Sequence, residues 1–331
     1  LYLFKDGIMA RLSFLSGLMV ITSLAGTAFA QSPTPLNLAP LTAPAPAETR
    51  VPISIDDAPV SRGFLESDRA FPGFIGPISN PVLSKDPRSI TDIRFLFIND
   101  VIPSENELAG GNFQVYAAQI HLAITERLTL IADKDGIANI HSGALGNSSG
   151  LLNMSYGLRY LLARDVENQF LWSAGFLVEP NMGYASVFQN HGSGVMTTFT
   201  TVGKEFGDSW HVLNTFGYQF GFEDKYSSSF FYNSFHIDRQ FFGWLYPLAE
   251  VNWFGYNSGG DWGQPNALGE GDGLLNLGTT GMAGHNLVTL ALGMKARLRT
   301  NVETGFAWEF PLSNQKDLMD NRLICEFIVR Y

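Results

Sequence analysis

Twelve runs between residue 91 and the last residue alternate apolar and polar side chains with period two, and the connections between them alternate as well. The runs fall at 91–99, 113–125, 128–134, 151–163, 169–179, 195–205, 211–222, 232–240, 245–254, 286–297, 302–310 and 322–331. Short polar connections lie at 126–127, 164–168, 206–210, 241–244 and 298–301, whereas the others are long and rich in Gly and Asn, the longest being 255–285. Strict short and long alternation predicts an all-β chain whose strands run antiparallel, up and down, each beside its predecessor.

Composition decides what surrounds such a sheet. Charged residues make up 16% of the chain, against roughly 25% in soluble domains, while Gly and Phe are abundant at 34 and 26. One face of each run is large and apolar: Leu152, Met154, Tyr156, Leu158, Tyr160 and Leu162 in the fourth, and Phe216, Tyr218, Phe220 and Phe222 in the seventh. The opposite faces carry Asn153, Ser155, Gly157 and Arg159, and Thr215, Gly217, Gln219 and Gly221. A soluble sandwich also alternates, but its solvent face is crowded with Lys, Glu and Thr. A face of Gly, Ala, Asn, Gln and Ser fits a narrow lumen, with lipid on the other side. No segment after the leader holds 18 consecutive apolar residues, so spanning helices are not expected.

The last run sharpens this reading. Leu323, Cys325, Phe327, Val329 and Tyr331 share one face and Glu326 and Arg330 the other, and the chain ends on an aromatic ring. In this it resembles the bacterial outer-membrane β-barrel class, whose final strand ends on Phe, Tyr or Trp after apolar residues at every second position. The resemblance implies an antiparallel transmembrane barrel of about twelve strands in the cell outer membrane. It also implies contact with outer-membrane lipid, and assembly by the barrel-assembly machinery through Leu323, Phe327, Val329 and Tyr331. An even strand count puts both termini in the periplasm. The single cysteine, Cys325, excludes an internal disulfide and reads as a small apolar residue facing lipid.

Residues 9–30 read as a secretory signal, with Arg11 in the basic region, an apolar stretch at 12–24, and Ala28-Phe29-Ala30 as the cleavage site. Met9 is a better start than anything upstream, and 1–30 is set aside from the fold. Setting aside Lys5, Arg11 and Asp6 leaves 19 basic and 30 acidic side chains, an acidic balance that argues against a nucleic-acid partner. Residues 31–60 form a Pro/Ala/Thr linker expected to be extended and disordered. Residues 61–89 differ: Phe64, Leu65, Phe71, Phe74, Ile75 and Ile78 need a surface, and the expected one is the periplasmic mouth of a barrel occupying 90–331.

Twelve strands lie between the eight of a barrel filled by its own side chains and the sixteen of an open porin. Candidate lining charges are Arg94, Arg159, Lys204, Lys295 and Arg330, with Glu179, Glu223, Asp238, Glu250, Glu303, Glu309 and Glu326. Either they pair across the lumen and fill it, or separate patches orient a small polar solute. The favoured function is passive passage of such solutes, carried by Arg159, Lys204, Glu223, His236, Asp238, Glu250, Lys295 and Glu309, with no catalytic residue, metal or cofactor.

Two other readings stand beside it. Ser234, His236 and Asp238 share one face of the eighth run and superficially suggest a membrane acyl hydrolase, but side chains two apart on a strand sit about 7 Å from each other, too far for a triad. A closed structural or adhesive barrel would bind partners through the 255–285 loop, where Asp261, Glu270 and Asp272 read as exposed acidic residues. Asp133-Lys134-Asp135-Gly136 starts like a calcium loop but lacks its later ligands.

Overall fold

The computed structural model describes residues 63–207, 209–261 and 269–331. The expected signal at 1–30 and linker at 31–60 lie outside the described residues. Fourteen strands form: β1 (Asp92–Ile102), β2 (Gly111–Ala123), β3 (Leu128–Lys134), β4 (Ile137–Ser142), β5 (Gly146–Leu151), β6 (Ser155–Asp165), β7 (Phe170–Glu179), β8 (Val195–Phe206), β9 (Trp210–Gly221), β10 (Ser229–Arg239), β11 (Leu245–Ser258), β12 (Asn286–Arg299), β13 (Val302–Pro311) and β14 (Asn321–Arg330).

Twelve of them close a ring. Each neighbouring pair is antiparallel, and β1 bonds both β2, with Phe95 opposite Ala118, and β14, with Phe95 opposite Phe327. Closure leaves no sheet edge in the wall, so its backbone polar groups pair strand to strand, as lipid demands.

The remaining two strands, β4 and β5, correct the expected long loop between the third and fourth runs. β3 and β4 are halves of one strand broken at Asp135-Gly136: both pair with β2, β3 through Ile120 to Ala123 and β4 through Gly111 to Tyr116. Gly136 has φ +102°, and a Cβ there would lie 2.2 Å from the Tyr116 carbonyl oxygen, so only glycine lets the strand break against its neighbour. β4 turns back into β5, which leads into β6. The β5 sequence, Gly-Asn-Ser-Ser-Gly-Leu, has no apolar face to alternate, so its pairing left no periodic signal.

Facing follows the pleat. Along β14, Arg322, Ile324, Glu326 and Ile328 are buried inside while Leu323, Phe327 and Val329 are exposed on the outer wall, with Tyr331 just beyond. The outer face bears aromatics near both rims: Phe206, Trp210, Phe241 and Trp244 beside the short turns, and Trp253 and Trp308 toward the long loops, where their indole N–H groups donate to Asn286 and Asn321. The turns and loops define the two ends of the barrel, and the 67–91 segment meets the C-terminal residue at the turn end, where Ser67 N–H donates to the Tyr331 carbonyl.

Candidate functional site

The barrel interior is occupied from both ends. From the turn end, residues 71–90 run inside the wall as a plug without helix or strand, turning once where the Leu83 and Ser84 amides donate to the Asn80 carbonyl, and Phe74, Ile75, Ile78 and Leu83 are each 0% exposed. A prolyl segment makes few hydrogen bonds to itself, so its peptide groups need partners from the wall. Glu250 supplies two, accepting the Ile78 and Ser79 amides at 2.8 and 2.6 Å. Donors meet the plug carbonyls: Arg94 that of Pro77 at 2.9 Å, Gln119 that of Pro81 at 2.8 Å, Arg159 that of Arg88 at 2.5 Å, and Arg297 that of Phe74 at 2.8 Å. Wall glycines make room: a Cβ on Gly203 would lie 3.0 Å from Pro87, and one on Gly305 3.0 Å from Ile78.

Around the plug, the wall charges pair. Glu326 lies 2.5 Å from both Arg94 and Lys295, contacts of ion-pair length without hydrogen-bond angles. Glu303 accepts Arg330 through both oxygens at 2.7 and 2.8 Å, and Arg297 at 2.9 Å. His121 bridges Asp92 and Asp133 at 2.6 and 2.7 Å, and the plug's Lys85 completes that chain by pairing with Asp133. His236 lies between Glu250 and Asp238 at 2.6 and 2.9 Å, and His211 adds a second imidazole to Asp238 at 2.8 Å. Within the plug, Asp86 is forked onto Arg88; burial opposes its ionisation, but the guanidinium outweighs it and holds the carboxyl below its usual range.

From the loop end, the β11–β12 connection folds inward. Glu270, Asp272, Leu274, Leu275, Leu277 and Met282 are buried, which corrects the expectation that Glu270 and Asp272 sit on an exposed acidic loop; Asp261 is exposed. Glu270 accepts the Leu277 and Thr279 amides at 2.8 and 2.6 Å and the Ser228 hydroxyl at 2.5 Å, curling the loop around its carboxylate. Arg322 anchors the loop to the wall, lying 2.7 Å from both Asp272 and Asp100 and 3.5 Å from Glu309. Leu83 of the plug and Gly273 of the loop touch, for a Cβ on Gly273 would lie 2.5 Å from the leucine methyl. The two fillings join in one apolar cluster with Phe230, Tyr232, Phe254 and Tyr256 of the wall.

Six of the eight candidate lumen residues, Arg159, His236, Asp238, Glu250, Lys295 and Glu309, are buried on the inner face. Lys204 and Glu223 are corrections. In β8 the inward register is Val195, Thr197, Phe199, Thr201 and Gly203, so Lys204 starts on the outer face and bends its ammonium to the Asn168 carbonyl in the neighbouring turn. Glu223 lies past the end of β9, in an exposed connection where the Ser193 hydroxyl donates to it. Arg322, Asp100, His121, Asp133 and His211 were missed as site residues. The signal for all five was their inward parity, on β14, β1, β2, β3 and β9.

Two spaces lie against the plug among the described residues. A cavity of about 30 Å³ lies between plug and wall beside Lys85, Arg94, His121 and Arg159, room for about one water molecule. A larger cleft of about 660 Å³ opens at the turn end, lined by Asp68, Arg88, Arg297, Arg330 and Tyr331.

Among solved structures, the COG4313 outer membrane channel from Pseudomonas putida F1 superposes with a TM-score of 0.56 at 9% identity, covering 78% of this chain and 100% of that one. The fold is that of an outer-membrane β-barrel. More distant likenesses include the KdgM porin in complex with disordered oligogalacturonate (TM-score 0.44, 11% identity, 72% of this chain and 99% of that one) and the NanC porin (0.44, 5%, 73% and 99%). Neither of these two carries weight at that distance. No protein-family model and no curated protein sequence matches the chain.

Proposed function

We propose that this chain is a channel of the cell outer membrane that passes small polar solutes when its plug moves. One observation carries the reading: a closed twelve-stranded wall holds buried, paired charges around a plug that is continuous with β1 at its end but is otherwise held by hydrogen bonds, ion pairs and packing. Such charges are costly in a merely structural interior, where apolar packing serves equally well, but they suit a path that is wet when open. The likeness in fold to a protein described as an outer membrane channel supports the same reading.

Both termini are then periplasmic, the leader at 1–30 directs export, and the C-terminal strand with Leu323, Phe327, Val329 and Tyr331 engages the barrel-assembly machinery. A hydrolase is disfavoured, because both ring nitrogens of His236 face carboxylates and the Ser234 hydroxyl accepts from Asn80. An adhesive role through the long loop is disfavoured because its residues 269–278 are buried.

The test is single-channel conductance of the refolded chain in a planar bilayer, with ion selectivity taken from the reversal potential. Discrete steps, more frequent in Glu250→Gln where the plug loses its charged anchor, are expected. A folded barrel that stays silent in both forms overturns the proposal.

A further inference from the structure

The wall holds the plug chiefly by its main chain. Between Pro72 and Arg88, carbonyl oxygens are met by Arg94, Gln119, Arg159 and Arg297, and amides by Glu250 and by the Thr215 hydroxyl, which accepts from Lys85 at 3.1 Å. Side-chain contacts of the same stretch are fewer, chiefly Asn80 with Ser234, Ser79 with Asn252 and Lys85 with Asp133. The apolar side chains Phe74, Ile75, Ile78 and Leu83 are buried with no polar demand of their own. Donors and acceptors therefore stand at intervals along the path, spaced for peptide groups, with apolar surface between them.

Withdrawal of the plug strips these wall groups of partners in a confined interior, where unpaired polar groups are expensive. A solute that restores the same pattern is favoured over one that does not. We infer that the plug is an internal stand-in for the solute, and that the lumen binds and passes short peptides with small or apolar side chains. This rests on the channel reading and narrows its solute class. The main chain is common to all peptides, so recognition through it is tolerant of sequence. Oligosaccharides offer hydroxyls to the same groups but have no counterpart to Phe74 and Ile78.

The experiment uses the full chain in a planar bilayer, with two uncharged probes of similar length: the acetylated and amidated hexapeptide of residues 76–81, and a linear maltohexaose. The expected result is that the peptide interrupts the current at concentrations at least tenfold lower than the sugar, and that Glu250→Gln and Gln119→Ala each weaken the peptide block several-fold while sparing any sugar block. If either variant fails to fold by heat-dependent gel mobility, Thr215→Val takes its place. Equal or stronger block by the sugar overturns the peptide class and leaves the channel standing. Steps that neither probe interrupts do the same. Absence of steps under all conditions overturns the channel reading, and the peptide inference with it.

Discussion

The two halves of the barrel interior share one apolar cluster but differ in how the wall holds them. Toward the turn end the plug sits among ion pairs, Glu303 with Arg330 and Arg297, Glu326 with Arg94 and Lys295, and its main chain is held by charged side chains. Toward the loop end, the infolded 269–282 segment packs apolar residues against Phe230, Tyr256 and Leu287, with Arg322 as its main charged anchor. Directional bonds to charged groups fix position and break one by one, whereas an apolar cluster resists as a unit and gains from every buried carbon. On the proposed reading, this difference makes the plug the part that moves and the loop the part that stays.

Arg322→Ala is the hardest blow to this contrast, since it leaves Asp100, Asp272 and Glu309 buried without their cation. A loss of about 3–5 kcal/mol is expected, read from urea unfolding in lipid vesicles, together with new protease cleavage in the 269–285 loop. If the loop stays protected, the apolar cluster alone holds it. Leu83→Ala cuts the contact where the two fillings meet and should cost about 2–5 kcal/mol, the range for emptying a buried leucine site. It should loosen plug and loop together, and loosening of only one would show the halves to be independent.

Gly203→Leu sharpens the comparison from the other side. Its first added carbon would lie 2.8 Å from Leu213 and 3.0 Å from Pro87, so the plug is crowded and the loop untouched. Overpacking of this kind costs about 1–3 kcal/mol, and the open probability should rise with no change in loop proteolysis.

The smallest effect is one of pH. Burial lifts the Glu270 carboxyl to about 7, although the Ser228 hydroxyl and the amides of Thr279 and Leu277 pull it down. Asp272 and Asp317 are raised as well, by burial first; their mutual repulsion is the next cause for Asp272. A carboxyl whose folded value lies above its unfolded one gives up stability as pH climbs between the two, here from about 4.5 to about 7. The loop should therefore be more protease-resistant at pH 5 than at pH 8, with a smaller difference in Glu270→Gln. Equal protection at both pH values in the unaltered chain would remove these carboxyls from the account.

Legibility differed along the chain for physical reasons. Runs such as 322–331 and 211–222 could be read because lipid on one side and lumen on the other force strict alternation, and Glu250 and Lys295 fell on the inner face by parity alone. Lys204 escapes the pattern because a long side chain near the rim can start on the outer face and still carry its ammonium to a turn carbonyl. β5 was hidden because a rim hairpin pairs by backbone and needs no apolar face. The pairing of His211 with Asp238, across β9 and β10, depends on register that no single run reveals.

By itself, the sequence determined twelve antiparallel runs and, within them, most of the side chains that face in, since period-two patterning is a local property that each strand states for itself. Tertiary structure decided what fills the lumen. The apolar character of Phe71 to Leu83 says only that this stretch must be buried, and Glu270 and Asp272 look like any acidic loop until Ser228, Asp317 and Arg322 are brought beside them. Those partners lie 42 to 50 residues away along the chain, and the closing of the barrel alone makes them neighbours.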